Sequence, residues 1–300
     1  MSGVLITGAT GFVGQNLSRY LSSDTFDITP VSLRAGVPHV SKAYEAIVHL
    51  AGKAHDLKNV STPEDYYRIN YELTRELFKA FVESEAKKFI FISSVKAVAD
   101  TPEGPLDEEH FPDPKTDYGK SKLMAEEYIR STALPSGKSF YILRPCMIHG
   151  PGNRGNLNLL YNFVSRRLPY PLAAFRNQRS FLSVENLCFI ISEILQRADI
   201  SSGVYNVADD EPLSTAEVVS LLSESLNMRP RLLNIPQGWI NTAARIGDTL
   251  RLPLTTERLT KLTGNYLVSN RKILLAIGKD LPLTAREGIL KTAKSFKVDG

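Results

Sequence analysis

The run Val4-Leu5-Ile6-Thr7-Gly8-Ala9-Thr10-Gly11-Phe12-Val13-Gly14 begins as a β-strand, passes three glycines and continues into an amphipathic stretch, Phe12–Leu21. In a strand, turn and helix of this kind each glycine has its own task. One allows the tight turn, the next lets a pyrophosphate approach the backbone, and the third lets helix and strand pack closely. The helix N-terminus, with its unpaired N–H groups, faces the anion. Gly8, Gly11 and Gly14 are spaced three and three, whereas the usual dinucleotide fingerprint is spaced two and three. A carboxylate roughly 20 residues further on would accept the ribose hydroxyls of NAD. Counting from Gly14, that place holds Arg34, at the end of Ile28-Thr29-Pro30-Val31-Ser32-Leu33. An arginine there suits the 2′-phosphate of NADP, with Ser32 adding a hydrogen bond, so NADP(H) is expected in preference to NAD(H).

Outward from this loop, short apolar runs alternate with longer amphipathic stretches, the pattern of a parallel sheet wrapped by helices. The expected strands are Val4–Thr7, Ile28–Leu33, Ala46–Leu50, Lys88–Ser93, Ser139–Arg144 and Val204–Val207, and the expected helices include Phe12–Leu21, Pro63–Ser84 and Asp117–Ser131, the last capped by its own Asp117. The fold class is thus α/β, a Rossmann-type doubly wound parallel sheet with a smaller α/β C-terminal lobe. The polar, glycine-rich stretch from Gly150 to Asn156 marks the first crossing into that lobe, and the chain returns to the sheet near Ser183–Arg197. Residues 1–150 with 180–210 would form the dinucleotide domain, and 151–179 with 211–300 the substrate lobe. The lobe is expected to contain helices Ser214–Leu226 and Ile240–Leu250 and a strand at Arg231–Ile235.

Composition narrows the function classes. The 300 residues are 43% hydrophobic and 23% charged, which excludes a disordered chain, and the net charge of +4 suits an anionic small molecule better than nucleic acid. Cys146 and Cys188 match no zinc or disulfide spacing, so a reducing cytoplasm is the expected compartment. The apolar start lacks a basic region and is broken by glycines, unlike a signal peptide, and no uncharged run reaches the roughly 18 residues that cross a bilayer. No membrane partner is expected, and the five scattered histidines give no reason to expect a metal.

Tyr118 and Lys122 are four apart in Tyr118-Gly119-Lys120-Ser121-Lys122, on one face of the expected helix. A free tyrosine titrates near 10, too high for acid–base work at neutral pH, and a nearby ammonium group would lower that value. Ser94, just beyond the strand Lys88–Ser93, can donate to the same substrate oxygen.

In combination and order, these motifs resemble the extended short-chain dehydrogenase/reductase superfamily, with its nucleotide-sugar epimerases, dehydratases and reductases. The resemblance extends to His49-Leu50-Ala51-Gly52, to Asn70 in Asn70-Tyr71-Glu72-Leu73-Thr74, and to Leu143-Arg144-Pro145 leading to His149-Gly150-Pro151-Gly152. It also includes the arginine-bearing segment Arg179-Ser180-Phe181-Leu182-Ser183-Val184-Glu185-Asn186-Leu187. It implies a nucleotide-sugar substrate and places Leu50, Ala51, Gly52, Asn70 and Pro145 with Tyr118 and Lys122 around the cofactor. It also implies Arg179 on the substrate diphosphate, with Lys96, Arg154 and Asn156 as further substrate-side candidates. A homodimer paired through Pro63–Ser84 and Asp117–Ser131 in a four-helix bundle is implied as well.

Family dehydratases carry Asp-Glu just after the catalytic hydroxyl residue, whereas this chain has Val95-Lys96. Ser93-Ser94-Val95-Lys96, with Ala99 where epimerases place tyrosine, resembles bacterial surface-polysaccharide reductases of UDP-4-keto-6-deoxy-N-acetylhexosamines. A 4-ketoreductase drawing on NADPH is therefore the leading expectation. A UDP-hexose 4-epimerase with tightly held NAD is the alternative, and a non-catalytic NADP sensor is a second.

Overall fold

A computed structural model describes residues 2–22, 26–37, 40, 44–53, 62–153, 155–250 and 254–296. Its first half alternates strand and helix: β1 (Ser2–Thr7), α1 (Phe12–Leu21), β2 (Phe26–Val31), β3 (Tyr44–His49), α2 (Pro63–Tyr66), α3 (Leu73–Glu83), β4 (Lys88–Ile92), α4 (Asp117–Ser131) and β5 (Ser139–Pro145). Then follow β6 (Met147–His149), α5 (Asn156–Ser165), β7 (Phe181–Ser183), α6 (Val184–Gln196), β8 (Gly203–Val207) and α7 (Thr215–Ser225). The chain closes with α8 (Gln237–Leu250), α9 (Thr256–Thr263), α10 (Arg271–Ile277) and α11 (Ala285–Ser295).

Six strands pair in parallel in the order β2-β1-β3-β4-β5-β8, the Rossmann-like sheet expected from the sequence. Side chains alternate between the two faces of a strand, and here both faces are buried. Val4, Ile6, Val48, Ile90 and Leu143 face α1 and α6, whose Leu17, Leu21, Leu187 and Ile191 complete one core. Leu5, Ile47, Phe89, Phe91 and Ile142 face α3 and α4, with Leu77, Phe78, Phe81 and Ile129. This two-sided burial is why the strands read as continuous apolar runs. From β1 the chain turns to β2 on one side and then crosses to β3 on the other, so the C-terminal ends of β1 and β3 flank a crevice suited to a ligand.

Inside the sheet, the fully buried Arg144 on β5 pairs with Glu126 of α4; its Nε lies 3.0 Å from both carboxylate oxygens. Ser93 donates a further hydrogen bond to Glu126. A third apolar cluster, with Leu157, Tyr161, Leu222, Ala244, Leu259 and Ile289, joins α5, α7, α8, α9 and α11.

Several local expectations need correction. The single helix Pro63–Ser84 is broken by a π turn over Tyr67–Glu72, which has no marker in local propensity. Thr116, not Asp117, caps α4: its side chain accepts from Gly119 N at 3.2 Å. The second strand occupies Phe26–Val31, and Leu33 already begins a 3₁₀ turn. Arg231–Ile235 forms no strand; it makes only isolated bridges, Leu232 with Tyr170 and Asn234 with Leu172, between Pro230 and Pro236. The chain reaches α6 through a separate two-stranded pairing of β6 and β7 and rejoins the main sheet only at β8.

Candidate active site

The glycine loop sits where β1 meets α1. Gly11 N donates to Gly8 O at 3.0 Å, and Gly8 takes the left-handed φ of +70°. A Cβ on Gly14 would come within 2.3 Å of Gly8 O and 2.6 Å of Ala9 Cα, so only glycine lets the helix seat this close to the turn. The first turn of α1 carries no side-chain cap, and Thr10 and Gly11 are exposed beside it, which leaves its N–H groups for an anion. Phe12 and Val13 are half-buried against the sheet core. At the end of β2, Ser32 and Arg34 are both exposed, and Ser32 Oγ accepts from Arg34 N at 3.4 Å. No carboxylate occurs between Asp27 and Glu45. These features fit the pyrophosphate and ribose end of a dinucleotide.

Beneath the cradle runs a buried chain of hydrogen bonds. Ala51 N donates to Thr7 Oγ1 (3.2 Å), which bonds His49 Nδ1 (2.7 Å). His49 Nε2 bonds Thr74 Oγ1 (2.8 Å), which donates to Asn70 O (2.8 Å). Because Thr74 spends its proton on Asn70, the ring must donate through Nε2 and accept through Nδ1. Burial, with the Lys122 charge nearby, lowers the His49 pKa to about 3, so the ring is neutral. The π turn presents Asn70 inward, where its side chain clamps the Lys53 backbone, accepting from its N at 2.7 Å and donating to its O at 3.1 Å. Asn70 also donates to Ser121 Oγ at 3.1 Å. It therefore acts here by holding the Gly52–Lys53 segment. Pro145 is buried at the end of β5, and Leu50 lies half-buried at the tip of β3.

Ser94, Tyr118 and Lys122 converge from two elements. Ser94 starts a 3₁₀ turn after β4, and its Oγ accepts from Lys96 N at 3.1 Å. A Cβ on Gly119 would lie 2.4 Å from Lys96 O, so a glycine in α4 lets this helix press onto that turn and brings Tyr118 to Ser94. The two side chains are hydrogen-bonded. Lys122 is buried, donates to Ile92 O at 2.9 Å and lies 4.7 Å from the centre of the Phe91 ring.

The electrostatics depart from the expected tuning. Burial raises the Tyr118 pKa, the hydrogen bond to Ser94 opposes that rise, and Tyr66 adds to it. Lys122 is not among the groups that move Tyr118, and its own pKa falls to about 8 through burial. Burial thus holds Tyr118 as the phenol, while Lys122 directs a hydrogen bond to the Ile92 carbonyl.

A second group lies beyond Ser94. Lys96 Nζ donates to Asp100 O at 2.7 Å and stands 4.6 Å from the Tyr266 ring centre. Burial lowers its pKa, and Arg179 and Lys261 reinforce the fall while Asp100 opposes it. Arg179, itself lowered by burial, donates to Gly264 O (3.2 Å) and Lys261 O (2.8 Å). Lys96 and Arg179 thus share one electropositive neighbourhood suited to a diphosphate. Asn156 opens α5 on an exposed face, and Arg154 lies outside the described residues.

Sequence reasoning missed three neighbours. Tyr66 packs edge-on against Tyr118 at 6.2 Å, Lys53 pairs with Asp65 at 2.8 Å, and Tyr266 donates to Ala99 O at 2.7 Å. None lies in a recognisable motif; the first two gain their places through the π turn, and Tyr266 arrives from a distant segment.

The model of the NAD dependent epimerase/dehydratase family matches residues 4–208. The chain belongs to that family. Like the epimerase/dehydratase relatives below, it is an NAD(P)-dependent enzyme. It is 30% identical to the UDP-glucose 4-epimerase of Vibrio cholerae, over 98% of this chain and 95% of the relative. It is also 30% identical to the N-acetyl-alpha-D-glucosaminyl-diphospho-ditrans,octacis-undecaprenol 4-epimerase of Escherichia coli O157:H7, over 78% and 75%. In fold it is similar to MoeE5 in complex with UDP-glucuronic acid and NAD (TM-score 0.76, 21% identity, 100% of both chains). It is likewise similar to RMD from Pseudomonas aeruginosa complexed with NADPH (TM-score 0.73, 20% identity, 99% and 100%).

Proposed function

We propose that this epimerase/dehydratase enzyme is an NADPH-dependent 4-reductase acting in the cytoplasm on a UDP-4-keto-6-deoxy-N-acetylhexosamine. The observation that carries the reading is the end of β2, where Ser32 and Arg34 stand exposed and the sequence from Ile28 to Tyr44 holds no carboxylate to receive a free ribose. A net reduction draws on NADPH, so this recognition and the reaction agree. The dinucleotide would lie along the loop Gly8–Gly14, Ser32, Arg34, Ala51, Gly52, Tyr118 and Lys122, and when bound it supplies hydride to C4.

The remaining work falls to the protein. Ser94 holds the C4 oxygen by a hydrogen bond, and Tyr118, kept as the phenol, donates the proton that makes it a hydroxyl. Lys122 anchors the floor of the site through Ile92 O. Lys96 and Arg179 would hold the UDP diphosphate, with the substrate lobe, residues 151–179 and 211–300, closing over the sugar. The reading includes a homodimer paired through α3 and α4, and light scattering that finds a monomer would refute that part.

A second reading is a 4-epimerase, favoured by the two 4-epimerase relatives at 30% identity. There Tyr118 would first take the C4 hydroxyl proton. The test mixes purified protein with UDP-4-keto-6-deoxy-N-acetylglucosamine and follows NADPH and NADH separately. Stoichiometric NADPH loss, abolished in Tyr118→Phe with dinucleotide binding intact, is the expected result. Epimerised UDP-glucose or UDP-N-acetylglucosamine without net cofactor use would favour the second reading. Saturable binding without any turnover would make the chain a sensor.

A further inference from the structure

Two stretches of the chain that contribute to the lobe surface have an unusual composition. No Asp or Glu occurs between Glu127 and Glu185, or between Glu224 and Asp248. The two acid-free segments meet in space: Arg231 donates to Arg167 O (3.1 Å), Tyr170 N to Arg231 O (2.7 Å), and Leu233 N to Tyr170 O (2.9 Å). Arg167, Leu168, Met228, Arg229 and Arg231 line a shallow cavity of about 300 Å³. Among the described residues, neither Arg167, Arg229 nor Arg231 forms an ion pair, and all three are exposed.

Leu168 lines this concavity, and further large apolar side chains are exposed on the same lobe. Leu168 and Leu233 are 45% and 43% exposed. Six residues beyond Leu233, α8 presents Trp239 (75% exposed), Ile246 (49%) and Leu250 (63%). With the exposed Ala243, these positions follow the spacing of a single stripe along the helix, while Ile240, Ala244 and Gly247 bury the other side in the lobe core. A second copy meeting this face symmetrically would set arginine against arginine. Nucleic acid would match the arginines but leave Leu233, Ile246 and Leu250 without a partner. A layer of anionic headgroups over acyl chains satisfies both kinds of group at once.

We infer that this lobe surface docks on anionic lipid, with phosphate headgroups in the arginine-lined cavity and Trp239, Ile246 and Leu250 at the headgroup–acyl boundary. Docking in the interface plane needs no spanning segment, and no helix among the described residues is long and apolar enough to cross a membrane. The inference departs from the sequence-based expectation of no membrane partner, which rested on the lack of a signal peptide and of a spanning run. The inference is independent of which sugar reaction the enzyme performs.

Trp239 is the only tryptophan, so its emission reports on the surface directly. With vesicles of phosphatidylglycerol in phosphatidylcholine, Trp239 emission should shift to the blue and be quenched by brominated acyl chains, with little change on phosphatidylcholine alone. Replacing both Arg229→Glu and Arg231→Glu should weaken vesicle binding by roughly tenfold or more. The pair Ile246→Asn and Leu250→Asn should abolish the blue shift, and dinucleotide binding by each variant verifies that it is folded. Unchanged emission and no co-sedimentation with anionic vesicles would overturn the inference. So would equal binding to neutral vesicles, or a dimer in solution that Ile246→Asn dissolves.

Discussion

The neutral His49 offers a quantitative test of the polar chain beneath the dinucleotide cradle. Its pKa is lowered from 6.5 to about 3 in the folded protein, chiefly by burial. Between those values the unfolded chain binds a proton that the folded chain refuses, so stability falls as pH falls. Below pH 6.5 the limiting slope is about 1.4 kcal/mol per pH unit. From pH 7 to pH 5 the loss from this one group is about 2 kcal/mol, and it hardly depends on how far below 5 the folded value lies. His49→Asn removes the titration and strands Thr7 or Thr74, costing about 1–3 kcal/mol at pH 7 for a buried unsatisfied group. Urea unfolding of both proteins at pH 7 and pH 5 should find the gap between them narrowed by about 2 kcal/mol at the lower pH. A gap that stays constant would mean that His49 is protonated in the fold, and the deduced Nε2–H tautomer would fall with it.

Other expectations follow from the same geometry. Gly14→Ala forces a methyl to within 2.3 Å of Gly8 O, so calorimetry should find dinucleotide binding lost, accompanied by a lower Tm. Arg144→Met should destabilise by about 3–5 kcal/mol by leaving the Glu126 carboxylate buried and unpaired, and adding Glu126→Leu should restore much of that loss in chemical denaturation. Lys122, lowered to about 8, loses its charge as pH rises through that value while Tyr118 remains protonated. If the charge on Lys122 serves turnover, kcat/KM should decline above pH 8, and a profile flat to pH 9.5 would exclude that role.

Much of the fold was legible because its signals are local. The run Val4–Thr7 and the glycines that follow declare strand, turn and helix within a few residues, and β3 to β5 declare themselves as buried strands. Spacing sets Tyr118 and Lys122 on one helix face and the end of the β4 strand offers Ser94, and the resemblance joins the three into one constellation. Their electrostatics were not legible: the orientation of Lys122 toward Ile92 O depends on how deeply α4 sinks against β4, which Gly119 permits but does not announce. Thr116 and Asp117 are adjacent capping residue types, so sequence could not choose between them. Arg231–Ile235 has strand-like apolar content, yet the prolines that flank it, Pro230 and Pro236, and its place at the lobe surface leave it only isolated bridges. Helices α9 and α11 take shape against the lobe core and α10 against the sheet core, tertiary influences that local periodicity does not contain.

The π turn over Tyr67–Glu72 also limits how the chain can vary in length. Such a turn holds one residue more than a regular helix, and deleting one residue would restore ordinary hydrogen bonding and favour the isolated helix. The same deletion would rotate everything before it by about 100° relative to α3. Tyr66 would swing off the edge of Tyr118, and Asp65 would leave Lys53, while Thr74 and its bond to His49 stayed in place. A shorter, straighter and intrinsically steadier helix would thus separate the two halves of the site. At this one helix, gaining regularity and retaining the tyrosine's surroundings are mutually exclusive.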